Sequence, residues 1–334
     1  MKTRTLGRTG PTVTALGLGA MGMSDFYGPA DRDESFATLN AALDAGITLV
    51  DTGDFYGSGH NELLVGEVLR GRKRDQVVVS VKFGALRDPA GGFVGVDLRP
   101  ASIKNFLAYS LKRLDTDHID IYRPARMPAG ANVEEVMGTL ADLVKAGWIR
   151  HIGLSEVGAE TLRRAAAVHP IVDLQIEYSL ASRGIEADIL PTARQLGTGI
   201  TAYGVLSRGL LSGHWNQERA LTPGDFRGRS PRFRGGNLEA NLRLVEALRE
   251  VARKRGISVA QAAIAWVLSR GEDIVPLIGA RTRERLNEAL GAADLTLTPV
   301  ELEEIARAVP GEAVAGTRYP EAAMAELDSE GGRR

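Results

Sequence analysis

The chain has 334 residues, of which 44% are hydrophobic and 25% are charged. This composition is typical of a globular protein with a large core, while the length leaves one large domain or two ordinary ones open. The net charge is −1 and the pI is about 6.6. Because the sequence lacks the strongly basic character that binds polyanions, we expect neither nucleic acid nor a membrane as a partner.

The absence of cysteine excludes disulfides, thiolate catalysis and cysteine metal sites. The N-terminal stretch MKTRTLGRTGPTVTALG has no continuous apolar segment of the kind found in signal peptides. No apolar run approaches the roughly 20 residues needed to cross a membrane. We therefore predict a cytoplasmic protein.

Short apolar runs rich in β-branched residues alternate along the chain with amphipathic stretches. The runs end in polar residues or glycine, which is typical of buried strands. Eight strands are predicted, at 15–20, 47–51, 76–82, 118–122, 150–155, 174–178, 200–204 and 273–279. Helical spacing of apolar residues predicts helices over 33–45 and 133–146. The order Thr298-Pro299-Val300-Glu301 predicts a further helix start, with a capping box and proline at the first helical position.

Alternating strands and helices indicate a parallel sheet, and eight such units can close into a (β/α)8 TIM barrel. We predict this α/β fold as a single domain over residues 1–325. The polar, glycine-rich residues 326–334 are expected to form a disordered tail. The interval 207–237, rich in Gly, Arg and Pro, is too long for an ordinary loop and is expected to be a lid or binding loop, or else disordered.

Polar and aromatic residues, together with one alanine, lie where the predicted strands end. In a barrel of this kind the carboxyl ends of the strands form one mouth, where chemistry is concentrated. We therefore expect several segments distant in sequence to meet there. The residues at or just past these ends are Asp51, Lys82, Ala125, Ser155, Glu177, Tyr178 and Tyr203.

An ordered set of motifs resembles the aldo-keto reductase superfamily. The resemblance runs from about residue 5 to residue 320, and it is greatest to the bacterial branch with an MGMS-FYG opening. One such motif is weak evidence, but the ordered set is specific. The motifs are LGLGAMGMSDFYG, DTGDFYGSGHNELLVG, VVVSVKFG, AGWIRHIGLSE, LQIEYSLASR, VLSRGLLSG and VPLIGARTRERLNEALGAAD.

The resemblance implies hydride transfer from a reduced nicotinamide to a carbonyl carbon, with Tyr56 as the acid that protonates the oxygen. Lys82 matches the lysine that lowers the pKa of this tyrosine, and Asp51 matches the carboxylate that pairs with the lysine. A tyrosine with an ordinary pKa of about 10 keeps its proton at neutral pH and can donate it. The alternative is that Asp51 and Lys82 form a structural ion pair and Tyr56 is a half-buried loop residue.

The sequence departs from the family at Ala125, where the resemblance implies a histidine that donates a hydrogen bond to the substrate oxygen. Losing one such donor typically costs about 2.7 to 4 kcal/mol, or roughly a hundred- to a thousandfold in rate. A water or another donor could fill the gap, the pocket could be enlarged for a bulkier substrate, or ordinary carbonyl reduction could be lost. His60 and Arg126 are the candidate substitutes for this donor. Arg126 is the better placed of the two by sequence, but we expect it to have a structural role. We expect Ala125→His to raise turnover of a small aldehyde.

The resemblance also implies a nicotinamide site. Ser155 and Gln175 match residues that hold the carboxamide, and Tyr203 matches the aromatic on which the ring stacks; the alternatives are a helix cap, a core hydrogen bond and plain packing. The stretch 203–213 resembles the loop that covers the pyrophosphate, through Leu206, Arg208 and Gly209. The family's Ser-Pro after the tyrosine is Gly204-Val205 here.

The adenine end of the cofactor is expected near the last strand. Gly279 and Arg281 precede a predicted helix start at Thr282, where backbone N–H groups favour an anion. Arg281 and Arg285 are four residues apart and can both reach a 2′-phosphate, which favours NADPH over NADH. Glu288 matches a carboxylate that contacts adenine, although the asparagine that usually follows it is replaced by alanine. The alternative is a solvated charged helix.

No GxGxxG follows the first strand, and the five histidines have no ligand-like spacing, so we predict no metal. We expect the substrate pocket to be lined by Met21, Phe26 and Ala125. The segment 207–237 is expected to lie beside this pocket and the segment 311–320 to close over it.

We therefore expect an NADPH-dependent aldo-keto reductase that acts on a small-molecule carbonyl substrate. The alternatives are an NADPH-binding sensor with little turnover and a reductase of an imine or conjugated double bond. A homo-oligomer is left open.

Overall fold

The computed structural model describes residues 1–70, 72 and 74–333, and twelve β-strands lie within these ranges. The strands are β1 (Thr3–Thr5), β2 (Thr12–Thr14), β3 (Gly17–Gly19), β4 (Leu49–Gly53), β5 (Val78–Phe83), β6 (Ala85–Arg87), β7 (Phe93–Val96), β8 (Ile119–Pro124), β9 (Ile149–Ser155), β10 (Ile171–Glu177), β11 (Gly199–Tyr203) and β12 (Ile274–Gly279).

Eleven α-helices accompany the strands in the described part of the chain. They are α1 (Arg32–Asp44), α2 (His60–Leu69), α3 (Pro100–Leu114), α4 (Val133–Lys145), α5 (Ala159–Val168), α6 (Ile189–Leu196), α7 (Gly235–Arg255), α8 (Val259–Leu268), α9 (Arg283–Leu290), α10 (Pro299–Ala308) and α11 (Glu321–Ala325).

Eight of the strands form a closed parallel barrel in the order β3, β4, β5, β8, β9, β10, β11 and β12, with β12 pairing back to β3. These are the eight strands predicted from the sequence, so the (β/α)8 fold is confirmed. The barrel strands are almost entirely buried because the helices cover their outer face. Their carboxyl ends therefore share one mouth.

Local sequence signals account for the helix starts. The side chains of Asp31 and Asn132 accept from backbone N–H groups in the first turns of α1 and α4. Thr298 and Glu301 form the predicted capping box of α10, with Pro299 at the first helical position. Thr282 caps α9 by accepting from the Arg285 N–H. Each cap satisfies a backbone donor that would otherwise lack an intrahelical partner.

Two hairpins were not predicted from the sequence. The β1–β2 hairpin is antiparallel and inserts Leu6 and Val13 into a small apolar cluster with strand residues such as Leu49 and Val275. The β6–β7 hairpin follows β5 and extends above the mouth, where Phe93 and Val94 are exposed. Such short strands carry too few residues for a periodicity signal.

The long connection between β11 and α7 is built from three 3-10 turns, over Ser207–Ser212, Phe226–Arg229 and Pro231–Phe233. It is thus an ordered loop with several buried side chains, including Arg232 and Phe233. Among the described residues, no helix is long and apolar enough to cross a membrane.

The C-terminal segment has a defined path where a disordered tail was expected. A 3-10 helix spans Asp328–Arg333, and the Ser329 hydroxyl donates to Glu156 Oε2 over 2.7 Å. The physical reason is that Glu156 is buried and needs donors, which this segment supplies. Arg334 lies outside the described residues, and the domain boundary at residue 325 stays a prediction.

Candidate active site

A buried ion pair lies at the mouth of the barrel, where β4 and β5 end. Lys82 Nζ donates to Asp51 Oδ1, and each side chain is only 5% exposed. Asp51 Oδ2 accepts from Ser80 Oγ over 2.9 Å and from Gln175 Nε2 over 2.7 Å. Asp51 is therefore held by three donors from three residues, which fixes the lysine in turn. The predicted pairing of Asp51 with Lys82 is present in the structure.

Tyr56 lies directly beside this pair. The Lys82 ammonium is 5.1 Å from the centre of the Tyr56 ring, and the tyrosine is 6% exposed. After Tyr56 the chain turns through Gly57 and Ser58, both with positive φ near 54°. Glycine adopts this backbone readily, whereas the serine adopts it at some cost. The DTGDFYG turn thus brings the tyrosine back over the strand ends.

The pKa values of this group differ from the sequence-based expectation. Burial, followed by the negative charge of Asp51, raises the pKa of Tyr56 well above its ordinary value. Burial also lowers the pKa of Lys82, although Asp51 opposes this. The expected lowering of the tyrosine pKa by lysine is therefore not found, because removing the phenol from water outweighs it. Tyr56 stays protonated throughout the neutral pH range.

Ala125 lies where the resemblance placed it, just past β8 and next to the end of β5. Its N–H donates to the Phe83 carbonyl over 2.8 Å, and the residue is 2% exposed. Its methyl group offers no hydrogen-bond donor to the mouth. His60 donates to or accepts from Ser24 Oγ over 2.9 Å, at the start of α2. The sequence suggested His60 as a substitute for the missing donor. In the structure its hydrogen-bond partner is Ser24.

The predicted nicotinamide residues lie on neighbouring strands. Ser155 on β9 pairs in register with Gln175 on β10, and Tyr203 ends the adjacent β11. The Tyr203 hydroxyl donates to Glu156 Oε1 over 2.7 Å and lies 3.0 Å from the Tyr319 hydroxyl. These three predicted residues are thus brought together on one side of the mouth.

Sequence reasoning missed Glu156, the buried residue that follows Ser155. Its carboxylate accepts from Arg318 Nη1 over 2.8 Å and from Arg318 Nη2 over 2.7 Å, in addition to Tyr203. Although burial raises the pKa of Glu156, Arg318 outweighs burial and holds this pKa well below its ordinary value. The signal was the charged residue directly after a buried strand in IGLSE. Its partner lies 162 residues further along the chain, which no local pattern indicates.

The predicted pyrophosphate loop forms a tight turn after β11. Leu206 precedes the 3-10 turn, and Arg208 and Gly209 both have positive φ, of 58° and 94°. Arg208 Nη2 donates to Glu177 Oε2 over 3.3 Å, while Arg208 Nη1 is buried without a partner among the described residues. An unpartnered guanidinium N–H beside a tight turn has the chemistry to bind an anion.

The predicted adenine-end residues form a second group around β12 and α9. A Cβ atom added at Gly279 would meet nothing within 4 Å, so this strand end is open. Arg281 donates to the carbonyls of Tyr27 and Pro29, and Arg285 Nη1 lies 3.2 Å from Glu288 Oε2. The structure therefore assigns Arg281 and Arg285 partners that the sequence did not indicate.

A pocket of about 410 Å³ opens beside Glu288 and is lined also by Gly213, His214, Arg249 and Ser258. Burial, followed by repulsion from Arg227, lowers the pKa values of Arg219 and Arg281, although Asp225, which pairs with Arg227 over 2.6 Å, opposes this. Excess positive charge at one place is a property of sites that bind phosphate groups. No cluster of potential metal ligands is found within the described residues.

The substrate side of the mouth is aromatic. Phe26 has φ of 70° and lies edge-on to Tyr56, with ring centres 6.0 Å apart. It also stacks on Phe93 of the β6–β7 hairpin at 5.9 Å and contacts Phe226 at 6.4 Å. Met21 is partly buried in the turn after β3. Phe26 was predicted, and Phe226 belongs to the segment 207–237 that was expected beside the pocket, whereas Phe93 was missed because it belongs to a segment without a strand-end signal.

Comparison with known proteins identifies the family to which the chain is similar. The model of the Aldo/keto reductase family matches residues 15–310. A Glycine max protein named probable aldo-keto reductase 1 is 38% identical over 317 residues, covering 94% of this chain and 90% of the relative. The Schizosaccharomyces pombe aldo-keto reductase yakc, named with NADP(+), is 37% identical over 320 residues, covering 95% and 94%.

A solved structure shares both fold and sequence with this chain. The glycerol dehydrogenase AKR11B4 from Gluconobacter oxydans matches with a TM-score of 0.83 at 31% identity, covering 92% of this chain and 96% of its own. The family match spans most of the chain, and both sequence relatives match over nearly their full length. The chain therefore belongs to the aldo/keto reductase family of oxidoreductases.

Proposed function

We propose that the protein reduces the carbonyl group of an aldehyde or ketone with NADPH, using Tyr56 as general acid with Lys82 and Asp51 behind it. The observation that carries this proposal is the buried arrangement of the three residues, in which Lys82 contacts Asp51 and lies 5.1 Å from the Tyr56 ring centre. Buried charges beside a buried phenol at a barrel mouth are typical of a site that transfers a proton.

Each of the three residues has a distinct role in this proposal. The raised pKa of Tyr56 keeps the phenol protonated, so that the proton is present when negative charge develops on the carbonyl oxygen. The ammonium of Lys82 stabilises the tyrosinate that remains after proton transfer, since opposite charges favour the ionised phenol. Asp51 holds the ammonium in place.

The nicotinamide site is assigned to Ser155, Gln175 and Tyr203. A reduced nicotinamide supplies the hydride when bound. The hydroxyl of Ser155 and the amide of Gln175 are suited to hold a carboxamide, and the Tyr203 ring offers a flat surface for stacking. Support comes from their positions at the ends of three adjacent strands, beside the Asp51 network.

The phosphates and the adenine are assigned to the second group of residues. The unpartnered Nη1 of Arg208 and the repulsion among Arg219, Arg227 and Arg281 fit a polyanion. Leu206 and Gly209 close the same turn, in which the Gly209 N–H donates to the Leu206 carbonyl over 2.9 Å, and the open end at Gly279 lies beside the helix cap of α9. Arg281 and Arg285 favour a 2′-phosphate. The NADP(+) in the name of the yeast relative agrees with this preference.

A panel of aldehydes and ketones, followed by the loss of NADPH absorbance, tests the reaction. We expect turnover with at least one carbonyl class, and a decrease of about 10²- to 10⁴-fold in kcat for Tyr56→Phe, which removes only the acidic hydroxyl. NADPH binding by Tyr56→Phe, measured by fluorescence, should be unchanged. Tight NADPH binding without oxidation over the whole panel would contradict the proposal and favour a sensor.

The cofactor preference is tested separately with Arg281→Ala. We expect it to weaken NADPH binding and to leave NADH binding nearly unchanged, since only NADPH carries the 2′-phosphate. The matched control is Arg243→Ala, an exposed arginine of α7 that pairs with Glu239. Equal binding of both cofactors by the wild type, unaffected by Arg281→Ala, would refute the phosphate assignment.

A further inference from the structure

Alanine at position 125 gives the barrel mouth no hydrogen-bond donor in the place where the resemblance implies a histidine. The next residue along the chain, however, carries a different hydrogen-bond donor. Arg126 follows Ala125 just beyond β8, and its side chain folds back so that Nη1 donates to the Ala125 carbonyl over 2.6 Å. The guanidinium is therefore within hydrogen-bond distance of the backbone of the vacant position. Arg126 is partly buried.

Arg126 differs from the other arginines of the mouth in its partners. Arg208 pairs with Glu177, and Arg318 pairs with Glu156. Within residues 1–70, 72 and 74–333, no carboxylate forms an ion pair with Arg126. Its guanidinium donates a hydrogen bond to a neutral carbonyl. A guanidinium has five N–H donors in a fixed plane, so one such bond uses only part of its capacity. A partly buried cation with unused donors is suited to bind an oxygen that acquires negative charge.

The charge of Arg126 acts on the residues of the mouth. It is a positive charge that lowers the pKa of Tyr56, against the larger effects of burial and Asp51. Although burial lowers the pKa of Arg126 itself, Tyr319, Tyr203 and Glu156 raise it, with a net increase. The guanidinium thus stays charged beside the Ala125 carbonyl.

We propose that Arg126 is a catalytic residue that donates a hydrogen bond to the carbonyl oxygen of the substrate, in the role that the resemblance gives to histidine. This inference rests on the proposed carbonyl reduction. When bound, a reduced nicotinamide would supply a hydride to the carbonyl carbon and would thereby be oxidised, and the C=O π electrons would move to the oxygen. The oxygen takes the phenolic proton of Tyr56 to form the alcohol. Arg126 keeps its own proton and stabilises the negative charge during the transfer.

This role has a consequence for pH dependence. A histidine at position 125 would change charge near its ordinary pKa of about 6.5, whereas arginine stays charged up to about pH 12. In the wild type, kcat should therefore show no step near pH 6.5 from this donor. In the double variant Arg126→Ala with Ala125→His, a step in kcat in this region should appear.

The test compares a neutral aromatic aldehyde, 4-nitrobenzaldehyde, with its anionic analogue, 4-carboxybenzaldehyde. We expect Arg126→Ala to lower kcat by about a hundred- to a thousandfold for both aldehydes, as for loss of one oxyanion donor. The NADPH dissociation constant should change less than about twofold, since the proposed contact is to substrate. Arg243→Ala serves as the control. Adding guanidinium ion should restore part of the lost kcat in Arg126→Ala and none in Tyr56→Phe.

The outcomes separate the two proposals. Normal kcat in Arg126→Ala would overturn the role of Arg126 and leave the proposed reduction standing. Loss confined to the carboxylated aldehyde would also overturn it, because the arginine would then recognise an anionic substituent. No turnover of any carbonyl by the wild type would refute both. If Arg126→Ala does not fold, Arg126→Met keeps the apolar stem, and the same loss with recovery by guanidinium is expected.

Discussion

A buried carboxyl close to Tyr56 makes the stability of the protein depend on pH. Asp54 lies in the DTGDFYG turn, is 9% exposed, and its Oδ1 has no hydrogen-bond partner among the described residues. Burial, followed by the neighbouring Glu62, raises the pKa of Asp54 from 3.8 to about 8. The folded protein therefore holds a proton that the unfolded chain releases. We expect Asp54→Asn, which cannot ionise, to remove this dependence.

The sign and size of this pH effect on stability follow from the coupling between proton binding and folding. Because the folded pKa is raised, the contribution of Asp54 to stability is complete below pH 3.8 and is lost as the pH rises through about 8. One pKa unit corresponds to 1.36 kcal/mol, so the unfolding free energy of the wild type should fall by about 2 kcal/mol relative to Asp54→Asn between about pH 6 and pH 8. Above about pH 9 the two curves should run parallel.

Urea unfolding at a series of pH values measures this difference. Asp294→Asn serves as the control, because Asp294 is exposed in a turn after α9. Its curve should follow the wild type throughout. Parallel curves for Asp54→Asn and the wild type from pH 6 to 8 would refute the reasoning, since they would mean that Asp54 is already ionised in the folded protein.

Three further substitutions have defined outcomes. Arg318→Met leaves the buried Glu156 without its counter-charge and should lower the unfolding free energy by about 3 to 5 kcal/mol, with partial recovery when Glu156→Gln is added. Phe93→Ala removes the ring contacts with Phe26 and Phe55 and should raise KM for aromatic aldehydes about fivefold, or about 1 kcal/mol, with NADPH binding unchanged. Lys82→Met should abolish turnover and destabilise the fold. Adding Asp51→Asn should restore stability but not activity. Recovered activity in this double variant would contradict the proposed role of the lysine.

Periodicity and strand-end position were sufficient to predict the barrel and the Asp51–Lys82 pair. Seven of the eight barrel strands are short, contain β-branched residues and are almost entirely buried, so their sequence signal is strong; the exception is β3, with the sequence GLG. Asp51 and Lys82 lie near the carboxyl ends of neighbouring parallel strands, two positions apart in register, and the long lysine side chain spans this offset. For such residues, the order of the strands in the barrel is enough to predict which positions lie close together in space.

Other features depend on contacts that no local pattern contains. Glu156 is neutralised by Arg318, which lies in a segment without regular secondary structure. Phe93 reaches the mouth through a four-residue strand in a hairpin that carries too little periodicity to be recognised. The pKa of Tyr56 depends on how completely the phenol is buried, which is a property of the packed structure and not of the lysine next to it.

The hairpin of β1 and β2 has a consequence for how the chain acquires its structure. Arg4 donates to the carbonyl of Leu268 over 2.8 Å and to that of Ile274, across sequence separations of 264 and 270 residues. Contacts of such length close slowly, because the intervening chain must be ordered first. The hairpin therefore makes these contacts only after the chain as far as β12 has been synthesised. Until β12 is in place, Leu6 and its apolar neighbours remain open to solvent and to other chains.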